Sequence, residues 1–164
     1  MEKLREKNQY QGNPVGLPDN VAQDIARDLD RHLASSIVLF HQYHKHHWLV
    51  EGPQFRDLHL FFKENYSQVH EQFDAIAERM TALGLVPTCM LENMSRLAYL
   101  SQEPEGVLRI REALEMDLQA ERSVITELRQ TIRKANDFQD YATKSLLEGF
   151  LIKAEARADN IHHF

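Results

Sequence analysis

Apolar side chains recur every three or four positions through most of this chain, the spacing of helices that bury one face. From Val21 to about Val50 the repeat runs through Leu29, Leu33, Ile37, Phe40, His44 and His47, and Gly52 and Pro53 end it. Asp19 or Asn20 is the expected N-cap. A second helix is predicted from about Phe55 to Leu83, stopped by Gly84 with Pro87 soon after. Residues 88–102 carry Leu91, Met94, Leu97 and Ala98, enough for a short helix inside a long connection. Pro104 suits a first helical position. The third long helix is expected from there to about Ala135, with Val107, Ile110, Leu114, Leu118, Ile125, Leu128 and Ile132 on one stripe. A break at Asn136-Asp137 precedes a fourth helix over about 138–160, and no segment alternates as a strand does. The prediction is an all-α four-helix bundle whose long crossover carries a short extra helix. Residues 1–18, polar and without period, read as a flexible N-terminal tail or a strap laid over a bundle domain of residues 19–164.

Composition narrows the class. The 164 residues are 43% hydrophobic and 27% charged, with a formal net charge of -6. Such a surface repels nucleic-acid phosphates and collects cations. Cys89 is the single cysteine, so no internal disulfide forms and a reducing compartment fits. With no apolar run of membrane length and no signal-like segment, a cytoplasmic location without membrane partners is expected. Histidine stands out: there are nine, six of them between His32 and His59 and a pair, His162 and His163, near the end.

The helical wheel gives those histidines a setting. On the second helix, His59, Lys63, Tyr66, His70, Asp74 and Glu78 fall in an arc of about 120°. Leu58, Phe62, Val69, Phe73, Ile76 and Met80 crowd the neighbouring arc. Titratable groups beside a core are costly unless paired or bound to a cation. On the first helix, His44 and His47 share a face with Phe40, Ile37 and Leu33, with Trp48 adjacent; His32 and His46 point elsewhere and read as surface residues. Imidazole and carboxylate together suit iron, zinc and manganese. The Glu-x-x-His pairs of intrasubunit di-iron bundles are absent. His59 and Glu78 lie about 28 Å apart along one helix. One ion can meet both only if two subunits share the site across a two-fold axis.

His47-Trp48, Gly52, Phe55, Leu58-His59, Asp74, Ala77-Glu78-Arg79 and Leu83-Gly84 resemble the Dps family of mini-ferritins, over about residues 20–160. The resemblance implies a ferritin-like bundle assembled as a hollow dodecamer, with ferroxidase sites at two-fold interfaces. It implies oxidation of ferrous iron, preferentially by hydrogen peroxide rather than O2, and storage of a ferric mineral. The implied ligands are His47 and His59 from one subunit with Asp74 and Glu78 from the other, and Trp48 intercepts oxidising equivalents. The sequence departs from the family at Lys63, where an aspartate is usual. An ammonium cannot ligate and repels a second cation. His70 and His44, each one turn from an implied ligand, are the candidate replacements, as in histidine-rich cyanobacterial members.

Two alternatives stay open: a cage binding zinc or another divalent ion with impaired ferroxidase activity, and a DNA-binding nucleoid protein. The second is disfavoured, because Glu2 and Glu6 offset Lys3, Arg5 and Lys7 in the tail. Asp137, Asp140 and Glu148 are positional candidates for an iron-entry pore, though charges near a helix start need no such role. Cys89 is expected to be inert packing.

Overall fold

Thirty-one residues without proline or glycine, Asp19–Leu49, form α1. Gly52 and Pro53 turn the chain, and α2 (Phe55–Ala82) returns alongside. The computed structural model describes residues 2–7 and 9–164. Among these, helices α3 (Leu91–Leu97), α4 (Ile110–Asp137) and α5 (Tyr141–His162) complete the fold, and no strand occurs. The cross-links fix the directions. Ser36 meets Gln72 and His47 meets His59, so α1 and α2 are antiparallel. His32–Thr131 and Gln42–Asp117 set α4 antiparallel to α1 as well. Arg157–Glu121 and Arg129–Glu155 return α5 along α4. The order is up-down-down-up, which requires the connection from Leu83 to Arg109 to travel the length of the bundle.

Burial explains the helices better than propensity does. Ile25, Leu29, Leu39 and Tyr43 of α1 meet Leu58, Phe62, Ile76 and Met80 of α2, and Leu128 and Leu147 close the core from the other pair. Each such side chain contributes roughly 1.5–3 kcal/mol when fully withdrawn from water. No helix is long and apolar enough to cross a membrane.

Polar side chains pin the crossover to α1. Thr88 donates through its backbone N and its hydroxyl to the buried Asp30 carboxylate, at 2.9 and 2.7 Å. Tyr99 N donates to Ser35 Oγ at 2.9 Å. Glu103 reaches Lys45 and His46. These ties reach as far as Glu103, and residues 104–109 stay non-helical with a bend at 105–106, so α4 begins at Ile110, six residues after Pro104, and Val107 stays exposed off the apolar stripe. The N-cap of α1 falls at Pro18, which has no side-chain acceptor, rather than at Asp19 or Asn20, and the Asp19 carboxylate accepts from Tyr10 Oη at 2.6 Å. Residues 9–17 lie against the bundle: Gln11 N donates to Gly84 O at 3.2 Å. A Cβ on Gly84, whose φ is +86°, would come within 2.1 Å of Gly12 O, so this turn needs glycine. Helix α4 runs through Asp137, and the break falls at Phe138–Asp140, with Gln139 left-handed at φ 59°. Asp140 caps α5, accepting from Thr143 N at 3.0 Å and from Arg79 at 2.7 Å. Cys89 is exposed rather than packed.

His32 lies in the core, not on the surface. Its ring nitrogens meet Tyr99 Oη at 3.0 Å and Thr131 Oγ1 at 2.8 Å. Burial, aided by the Arg31 charge, lowers its pKa to about 4. The unfolded chain therefore takes up this proton first as pH falls, and the stabilisation from a neutral His32 is complete above about 6.5 and lost toward pH 4. The loss is about 3 kcal/mol. Urea melts between pH 7 and pH 4 are expected to show this acid slope, and His32→Asn to flatten it.

Candidate metal centre

Two imidazoles meet where α1 ends and α2 begins. The rings of His47 and His59 stack with centroids 3.7 Å apart. Each Nδ1 lies 2.8 Å from the other residue's backbone carbonyl oxygen. A carbonyl only accepts, so both Nδ1 atoms carry hydrogen. His47 O is among the last carbonyls of α1, which lack an intrahelical partner, and His59 supplies the missing donor. The opposite nitrogens make no hydrogen bond among the described residues. The reciprocal lock, the kind of outer hydrogen bond that orients a metal-ligating imidazole, fixes both rings through Nδ1 and leaves both Nε2 atoms without a partner among the described residues.

Around this pair runs an aromatic shell. His44 packs 4.2 Å from Trp48 and 4.5 Å from Tyr66, and Tyr66 lies 5.3 Å from His47 by ring centroids. Burial, with His47 and His41 nearby, lowers the pKa of His44, which favours its neutral form. Trp48 is 62% exposed, a large apolar surface for an isolated chain.

The remaining predicted donors stand apart from the pair. His70, Asp74 and Glu78 are exposed along α2, and His70 touches Phe73 and Phe40. Lys63 is exposed and makes no ion pair among the described residues, with Asp74, Glu78 or any other group. One chain therefore joins His47 to His59 and leaves the two carboxylates free on the same helix, several turns away. Asp137 and Glu148 are likewise exposed.

A second cluster was not legible in the sequence. His46, read there as a surface residue, is 4% exposed. Its Nδ1 donates to Asp117 Oδ2 at 2.9 Å, and Gln42 donates to the other Asp117 oxygen at 2.8 Å. Its Nε2 lies 2.9 Å from Glu103 Oε2, and Lys45 holds the same carboxylate. Burial opposes charge on His46, but Asp117 and Glu103 outweigh it and raise its pKa to about 9. Burial lifts Asp117 to about 6 even with His46 beside it. Deeper still, Tyr43 Oη donates to Glu121 Oε1 at 2.7 Å, and Arg157 donates to both Glu121 oxygens at 2.6 and 3.1 Å. Arg157 Nη1 also reaches Gln68 at 3.5 Å, so one polar tie joins all four long helices. A guanidinium holds the only glutamate there, where intrasubunit di-iron bundles gather several.

An up-down-down-up bundle with a full-length crossover is the ferritin-like architecture. The family described as ferritin-like domain matches residues 26–164. The chain is 39% identical, over 157 residues covering 96% of it and 89% of the relative, to the nutrient stress-induced DNA-binding protein of Synechococcus sp.. It is 38% identical over 143 residues to the DNA protection during starvation protein of Halobacterium salinarum, covering 87% and 79% of the two chains. The crystal structure of an archaeal Dps homologue from that organism superposes with a TM-score of 0.95 at 34% identity, over 99% of this chain and 91% of the other. A Vibrio cholerae Dps protein, described as a member of a broad superfamily of ferritin-like diiron-carboxylate proteins, has a TM-score of 0.88 at 21% identity, which speaks for the fold alone. The chain belongs to the ferritin-like family, in its Dps branch.

Proposed function

We propose that this protein oxidises ferrous iron and stores the ferric product inside a homo-oligomeric cage, a dodecamer with its oxidation sites at two-fold interfaces. The observation that carries the reading is the reciprocal His47–His59 lock, which leaves two imidazole nitrogens free while Asp74 and Glu78 of the same chain lie too far away to join them. A two-fold partner facing α2 supplies those carboxylates and yields two equivalent sites per dimer. Iron is the substrate. Neutral imidazoles bind ferrous iron, and the carboxylates offset the charge that grows on oxidation. With hydrogen peroxide as oxidant, two ferrous ions give up one electron each, the O–O bond breaks, and two hydroxide ions form. Pairing the electrons avoids the hydroxyl radical that a single-electron step releases. Trp48 and Tyr66, packed around His44, are placed to intercept stray oxidising equivalents.

Lys63 favours a rebuilt site, since it is exposed and cannot ligate. His44, kept neutral beside His47, and His70, one turn before Asp74, restore donors as nitrogen in place of oxygen. Stopped-flow oxidation of ferrous iron by peroxide is expected to fall sharply in Asp74→Ala and measurably in His70→Ala. Unchanged rates in both would remove this assignment. The same lysine supports a second reading, a divalent-ion cage with impaired turnover, in which peroxide consumed per iron falls well below one half.

DNA binding does not follow from the names of the relatives. Lys3 is paired with Glu6 at 2.9 Å, the tail carries acids beside its bases, and the net charge is -6. Non-specific DNA affinity rests on unpaired cations. No mobility shift is expected at near-physiological salt; a shift abolished by deleting residues 1–10 would reverse this.

A further inference from the structure

Between α1, α4 and the crossover, three donors of different elements converge: His46, Asp117 and Glu103 offer ligand atoms all within 4.8 Å of one another. The His46–Asp117 contact is a well-formed hydrogen bond, fixing Nδ1 as a donor. The other side is different. Nε2 is paired with Glu103 Oε2 at 2.9 Å but poorly aligned on it, and the other oxygen, Glu103 Oε1, is buried without a hydrogen-bond partner. The Glu103 side chain is only 4% exposed. A misaligned buried N–H beside a buried carboxylate oxygen with no partner carries a real cost unless something else sits there.

From this geometry we infer a second metal site in each chain, separate from the His47–His59 centre, in which His46 Nε2 and the Glu103 carboxylate hold a divalent transition ion. Asp117 is the outer partner: it holds His46 through Nδ1, and Gln42 holds Asp117 in turn at 2.8 Å. A carboxylate behind a ligating imidazole fixes the ring and strengthens it as a donor. One nitrogen and one carboxylate select zinc or ferrous iron over magnesium and calcium, which prefer all-oxygen sites. Water completes the coordination from a cleft of about 360 Å³ whose lining includes His41, Lys45, Gln102, Glu103 and Glu105. A second cleft, against α4, also reaches Gln42 and Glu103. A metal ion takes the place of the His46 Nε2 proton, which leaves to solvent, and of the Lys45 ammonium on the Glu103 oxygen. Because Glu103 belongs to the crossover, an ion here also ties that segment to the bundle. The proposal does not depend on oxidation at the other centre.

Zinc titration of the chelator-stripped, assembled protein by calorimetry tests it. Wild type and Asp74→Ala are both expected to keep one equivalent per chain that Glu103→Gln and His46→Gln lose. Lys45→Met, which removes the competing ammonium, tightens that equivalent roughly tenfold. Equal stoichiometry in wild type and Glu103→Gln would overturn the assignment. Should the substituted chains not fold, wild-type crystals soaked in zinc decide by anomalous scattering. A peak about 2.1 Å from His46 Nε2 supports the site, and its absence with His46 in place rejects it.

Discussion

Mixing His59→Ala and Asp74→Ala subunits in equal amounts is expected to restore about a quarter of wild-type ferrous oxidation, although neither variant alone has appreciable activity. The arithmetic follows from a shared two-fold site. Each site takes its imidazoles from one subunit and its carboxylates from the other. In a mixed dimer one site inherits both lesions, and the other inherits none. Random pairing makes about half the dimers mixed, and half the sites in those are intact. Oligomers co-refolded from the two variants, assayed by stopped-flow absorbance of ferric product, supply the measurement. Activity no greater than that of either parent would place the carboxylates and imidazoles in the same chain's site, and the interface proposal would fail. The experiment is sharp because the structure already separates the two halves: His47 and His59 are locked together, while Asp74 and Glu78 face outward farther along α2.

The second large effect is on stability. Arg157→Met removes the guanidinium that both Glu121 oxygens and Gln68 rely on, leaving a carboxylate fully buried with only Tyr43 for company. An uncompensated charge in that setting costs about 3–5 kcal/mol. For a chain of this size that lowers the melting temperature by about 10 °C. The double variant Arg157→Met/Glu121→Leu removes the stranded charge as well, so it is expected to recover part of the loss. Near-additive losses in calorimetric melts would show that the pair is not coupled. A loss below about 1 kcal/mol for the single change would mean that Glu121 finds water or another donor.

The sequence conveyed the helices because each repeats its burial locally. Leu58, Phe62, Val69, Ile76 and Met80 recur at the helical period and do line the core. On α1 the same reading followed the neighbouring stripe. Ile37, Phe40, His44 and His47, the stripe that apolar spacing assigns to the inward face, lie half-buried along an aromatic flank. The deepest positions are Leu39, Tyr43 and His46 instead. Polar residues at core positions confuse a count of apolar spacing, and His32, Gln42, Glu121 and Arg157 are all of that kind. Pro104 misled for another reason. It suits a helix start, but Glu103 beside it is drawn to Lys45 and His46, so that stretch is held as a strap.

What the amino-acid order determined by itself was the set of helices, their approximate ends, the need for a long crossover and the imidazole-carboxylate face of α2. These rest on interactions within a few residues, where periodicity is a direct record of burial. What only the tertiary structure decided was which histidines are buried, how His47 and His59 lock one another, and the meeting of His46, Asp117 and Glu103. Those outcomes depend on partners as far as 99 positions away, as His32 and Thr131 are. A hydrogen bond across packed helices leaves no period in the chain that forms it.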